Sequence, residues 1–208
     1  MADTESPYKP EVSNFCVAFT RFIISWNALE DVAREIVNGW AEGMLMQGIL
    51  NNMNALSVQD ALKDLSNQLE RGLYTLPEQQ TQGRLIGHFE KGMDRLRIRR
   101  NFYVHAIRGM GFKPDDPATF HAQFYAIEGR GKMSFNEAKV TTAEMMELVR
   151  ANSTFSQFGK DILKATKRPG RNAMLGREPR FSLSEISKPD LPKPLEKNKH
   201  YLGQERTR

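Results

Sequence analysis

The sequence predicts a mainly α protein: an antiparallel helical bundle with one inserted β-hairpin, followed by a basic, disordered tail. Three observations predict it. Four long stretches carry apolar side chains at alternating spacings of three and four, the repeat that keeps one face of a helix buried. One stretch, about residues 119–140, changes to a period of two around a glycine turn. Beyond Lys167 the apolar periodicity stops, and five of the ten prolines stand among scattered positive charges, a composition that favours disorder. The domain reading is an N-terminal arm over 1–13, a helical domain over 14–165 and a Pro-containing tail over 166–208.

The first helix is expected from about Asn14 to Trp40, on the seam Phe15, Phe19, Phe22, Trp26, Leu29, Ala33, Ile36 and Trp40. A helix this aromatic belongs at the centre of a bundle. Between 39 and 57 two signals conflict: Gly39, Gly43 and Gly48 call for a break, while Met44, Leu45, Met46, Ile49 and Leu50 call for burial. The helix end is therefore open there. Ser57 is expected to cap a second helix with Val58, Ala61, Leu62, Leu65 and Leu69 on one face, closed at Leu76-Pro77. The third begins between Glu78 and Gly83, follows the stripe Leu85, Phe89, Met93 and Leu96, resumes at Tyr103 and Ile107, and ends near Gly109 to Gly111. In the hairpin Phe120, Ala122, Phe124 and Ala126 alternate with His121, Gln123 and Tyr125, and Gly129-Arg130-Gly131 is the turn before Met133 to Val140. Thr141 and Glu144 form a capping box for the last helix, whose stripe is Leu148, Ala151, Phe155, Phe158 and Ile162.

With 208 residues, of which 39% are hydrophobic, the chain can hold one ordinary domain and a tail. The net charge of +5 is uneven. From residue 166 onward there are eleven basic and five acidic side chains, so the tail carries +6 and everything before it −1. The basic pI thus describes the tail and not the domain. Cys16 is the only cysteine, which rules out an intrachain disulfide and suggests a buried core thiol. No secretory leader and no membrane-spanning run is legible, so a cytoplasmic protein without membrane contact is expected.

The stretch Arg97 to Arg108 stands out. The stripe position after Leu96 is Arg100, a charge where an apolar side chain is called for, costly unless paired or directed at a polar cavity. Asn101 and His105 are four apart and share a face, which Arg97 and Arg108 extend by a turn each way. Metal-free RNA cleavage needs a group that titrates near neutrality to take the 2′-OH proton and return one, which suits His105. It also needs a fixed cation for the charged transition state, which suits Arg100, with Asn101 to orient the imidazole or bind phosphate. Arg100 and His105 lie about 140° apart at about 100° per residue, so they meet at one phosphate through the length of the Arg or through a second protomer. The plainer reading has His105 bonded to a helix neighbour and Arg100 laying its stem on the core with its head in water. Glu30, at the edge of the first seam, either pairs with Arg100 or makes an ordinary surface pair with Arg34. Arg84 and His88 also share a face and read as surface residues. Phosphate-binding glycine loops, dinucleotide fingerprints, His-Glu-x-x-His, cysteine pairs and Gly-x-Ser-x-Gly are all absent from the sequence.

Arg100-Asn101 followed by His105 resembles the signature of the HEPN domain superfamily, in which four to six residues separate Arg from His and a polar residue often follows the Arg. The resemblance covers about the first 165 residues in outline and includes Trp26-Asn27-Ala28-Leu29-Glu30 in a long first helix. It implies a metal-independent endoribonuclease, a toxin or antiviral defence effector without cofactor, working as a homodimer on RNA under an antitoxin or regulatory protein. Catalysis is implied for Arg100, His105 and Asn101, with Glu30, Arg97 and Arg108 in support and no metal ligand. Ile107 stands where a subset of family toxins has Tyr, so tyrosine-dependent chemistry is not implied. A rival from another class is a non-catalytic helical module binding RNA or a protein partner. A third is an adaptor whose residues 166–208 order on nucleic acid or an acidic partner.

Overall fold

The computed structural model describes residues 10–41, 55–71, 77–105, 109–113, 116–128, 132–166, 182–194 and 198–201, and over 10–11, 40–41, 55–56, 105–140 and 198–201 the backbone alone. The described residues are mainly helical. Helix α1 spans Pro10–Ala41, α2 Ala55–Arg71, α3 Pro77–His105 and α4 Thr142–Thr166. Two compact units divide the chain, one formed by Ser25–Leu96 with Ala151–Pro192, the other by Met1–Ile24, Arg97–Arg150 and Lys193–Arg208.

In the first unit the helical stripes become a core: Trp26, Leu29 and Ile36 of α1, Leu62 of α2, Ile86, Phe89 and Met93 of α3, and Phe155 and Ile162 of α4 are all buried. Small residues set how closely the helices approach. The Ser66 hydroxyl of α2 donates to the Gly83 carbonyl of α3 at 2.8 Å, and a Cβ on Gly83 would lie 2.8 Å from the backbone nitrogen of Glu70. A Cβ on Gly92 of α3 would stand 1.9 Å from the Phe155 ring of α4. Helix α4 meets α1 where the Asn152 amide donates to Ser25 Oγ at 2.9 Å and where Gly159 leaves room for Val32.

The second unit has its own apolar set, Phe15, Ala18 and Phe22 of α1, Phe102 and Tyr103 of α3, and Met145 and Leu148 of α4. The rings of Phe22 and Tyr103 meet edge-on at 6.2 Å. Helix α4 starts on the expected reciprocal cap: Thr141 N donates to Glu144 Oε2 at 2.7 Å and Glu144 N to Thr141 Oγ1 at 3.2 Å. The backbone pairs as strands β1 (Gly109–Lys113), β2 (Asp116–Glu128), β3 (Lys132–Thr141) and β4 (Asn198–Tyr201), in that order and antiparallel throughout. Phe124 stands opposite Asn136, and Phe135 opposite His200. The period-two alternation that predicts the 119–140 hairpin concerns side chains outside the described ones.

Several expectations are corrected. Helix α1 begins at Pro10, inside the expected 1–13 arm, and α2 at Ala55, which puts Ser57 within its first turn. Helix α3 starts at Pro77, where a residue without an N–H costs nothing because that N–H has no helical partner, and stops at His105. Gly109 to Gly111 belong to β1. Helix α1 passes through Gly39 to Ala41, and residues 42–54, over which the sequence signals conflict, lie outside the described residues. Cys16 is exposed: it follows Phe15 by about 100° around the helix, enough to turn it off the buried seam.

The largest correction concerns residues 182–194 and 198–201 of the tail; the rest of the tail lies outside the described residues. Residues 182–194 lie along α3 as an extended strap, and β4 comes from the same tail. A turn of 3-10 helix, Leu183–Glu185, opens the strap on a reciprocal Ser182–Glu185 cap and buries Leu183. The composition argument fails here because it counts only the apolar side chains that a segment can bury. The strap is held largely by its carbonyls, which proline leaves free to accept.

Candidate functional site

The last turns of α3 carry the predicted residues. Arg100 is half-buried, as its place in the apolar stripe requires, and its Nη1 donates to Asn101 Oδ1 at 3.0 Å. Its Nε is buried and has no hydrogen-bond partner among the described residues. Arg100 thus meets a neutral amide oxygen and forms no ion pair among the described residues. Arg97 is half-buried on the same stretch, and His105 is the last residue of α3, where only its backbone is described. Arg108 lies outside the described residues. Arg100 and Asn101 are therefore brought into direct contact, and His105 follows on the same continuous helix.

Glu30 is satisfied within its own helix. The Trp26 indole donates to Glu30 Oε2 at 3.0 Å, and Arg34, one turn on, pairs with Oε1. Of the two expectations for Glu30, the pair with Arg34 is the one present, joined by an indole that the spacing alone did not suggest. Tyr103, between Arg100 and His105 on the helix, has its hydroxyl pushed up to about 12 by burial, with Arg99 lowering and Glu144 raising it.

Three residues of α3 gain roles that the sequence reading missed. His88, expected at the surface, is half-buried, stacked on Phe155 at 6.2 Å and edge-on to Phe158 at 5.7 Å, with Nε2 2.7 Å from the Pro189 carbonyl of the strap. Arg95 donates to the Pro192 carbonyl at 2.9 Å. In the second unit Arg99 donates through Nε to the Lys193 carbonyl at 3.1 Å and through Nη2 to the Pro194 carbonyl at 3.2 Å. His88, Arg95 and Arg99 are seven and four apart, so they form one narrow stripe on α3. The signal was present on both sides: that stripe, and Pro189 and Pro192 three apart, the repeat of a polyproline helix.

Among the described residues no cluster of three or more His, Cys, Asp and Glu could hold a metal ion, and no helix is long and apolar enough to cross a membrane. No family model, no curated protein and no solved structure matches the chain.

Proposed function

We propose that the chain is a metal-independent endoribonuclease of the HEPN type, acting on RNA as a homodimer. His105 takes the proton of a ribose 2′-OH, whose oxygen attacks the adjacent phosphorus. The bond to the 5′-oxygen breaks, that oxygen receives a proton from the imidazolium, and the products are a 2′,3′-cyclic phosphate and a 5′-hydroxyl. Arg100 stabilises the charge that develops on the phosphoryl oxygens. The observation that supports this reading is the state of Arg100: a half-buried guanidinium in an apolar register, met among the described residues by a neutral amide and with a buried N–H that none of them bonds. A cation so placed suits an arriving anion better than it suits the core. A toxin or defence role in the cytoplasm, restrained by an antitoxin, follows from the same resemblance.

The test is labelled single-stranded RNA incubated with purified protein in EDTA. Cyclic-phosphate ends are expected, and Arg100→Ala and His105→Ala should each lower the rate by about 100-fold or more. Intact RNA across several substrates would transfer the assignment to a non-catalytic binding module, the reading favoured by the way α3 already holds an extended segment.

A further inference from the structure

We infer that Arg99 is a phosphate-binding residue for RNA, held in reserve by the chain's own strap. This rests on the reading of the end of α3 as facing RNA, and it adds a residue and a regulation that neither the signature nor the spacing supplies. Its ground is the way Arg99 is bonded. Nε and Nη2 form an edge of the guanidinium on which two N–H groups run parallel, a fork that takes two oxygens of a phosphate or carboxylate. In the free chain that fork is filled by two oxygens from consecutive residues, the carbonyls of Lys193 and Pro194. Both acceptors are neutral. Arg99 forms no ion pair among the described residues, and neither does its neighbour Arg100. Among the described residues, two adjacent cations thus each face neutral oxygens.

A phosphodiester presents the same pair of oxygens with a negative charge, and a charge-assisted fork is stronger than one made to carbonyls. RNA arriving at Arg100 would compete for Arg99 and displace Lys193 and Pro194. The strap would not leave the protein, because upstream it is anchored in the other unit by buried Leu183, by His88 at Pro189 and by Arg95 at Pro192. It acts as a tethered competitor, and the fraction of time it spends displaced scales the apparent RNA affinity.

The probe is a fluorescein-labelled 2′-O-methyl RNA oligonucleotide, which lacks the attacking hydroxyl, so binding to the full-length chain is read apart from cleavage. Arg99→Lys keeps the charge and loses the fork, and should weaken binding roughly tenfold at constant salt. His88→Phe keeps an aromatic ring against Phe155 and Phe158 but loses the bond to the Pro189 carbonyl, and should tighten binding about threefold or more by loosening the strap. In the wild-type chain, the carbon-13 shift of the Lys193 carbonyl, which accepts from Arg99, should move toward that of an unbonded carbonyl when the oligonucleotide binds. Unchanged affinity in Arg99→Lys, or an unchanged Lys193 carbonyl shift in the wild-type complex, overturns the inference. So does polyglutamate binding as tightly as the oligonucleotide, which would point to an acidic protein partner. RNA cleavage that needs Arg100 while Arg99→Lys binds normally would remove this inference and leave the nuclease. Binding through Arg99 without cleavage of ordinary RNA would do the reverse.

Discussion

Arg100 occupies a position that the apolar register of α3 reserves for a core side chain, and its surroundings determine what that costs. A buried N–H without a partner carries a desolvation penalty of about 1–3 kcal/mol. Arg100→Met, which preserves length and removes the unsatisfied group, should therefore leave stability unchanged or raised in urea titrations while abolishing RNA cleavage. A loss of about 2 kcal/mol or more would instead make Arg100 a structural residue. Tyr103 offers a second test, through pH. Its hydroxyl titrates at about 12 in the folded chain against an ordinary 10.0, chiefly because burial disfavours the phenolate. Between those values the unfolded chain loses the proton first, so stability should fall as pH rises through this window, by roughly 2–3 kcal/mol in all, and be flat with respect to this group below it. Tyr103→Phe should remove that part of the alkaline loss; equal slopes for the two proteins would show that the tyrosine is not the cause.

Helix α3 is read correctly by its stripes because Leu85, Phe89, Met93 and Leu96 recur with the period of the helix itself, and all four are buried. The closeness of its contacts is another matter. Gly92 lies against the Phe155 ring with no space for a methyl group, and a glycine in a helix reads in sequence only as a weak position. Gly92→Ala should gain helix propensity and still destabilise the protein, by about 1–3 kcal/mol through overpacking, as a lower thermal midpoint. Combining it with Phe155→Leu should recover part of the loss, since the obstructing ring is gone; a midpoint at or above wild type for Gly92→Ala alone would show that α3 and α4 can separate freely. The strap makes the converse point, since four of its attachments to α3 are through carbonyls, which every residue has and no composition count detects.

For the molecule as a whole, α1, α3 and α4 each contribute to both compact units, so damage to one unit should be felt in the other. Residues 182–192 of the tail pack within the first unit. Leu183→Ala should lower stability by about 2 kcal/mol, the cost of emptying a buried leucine site, whereas a disordered tail would show no change in a thermal melt. The proposed homodimer can be tested by mixing. Arg100→Ala and His105→Ala proteins, each inactive, should recover some cleavage after subunit exchange if the two groups act across a two-fold axis. Full activity from a species that light scattering finds monomeric would exclude a composite site.

The four helices, the cap at Thr141, the placing of charge in the tail and the anomaly at Arg100 are all legible along the chain. Each of these depends on residues within a turn or two of one another, and local periodicity records such relations directly. Packing between helices, by contrast, is what places His88 against two phenylalanines. The tertiary structure also lays residues 182–194 along α3, about a hundred residues away in the chain. These depend on which faces meet and on main-chain oxygens shared by all residue types, so no pattern of side chains along the chain encodes them in a legible form.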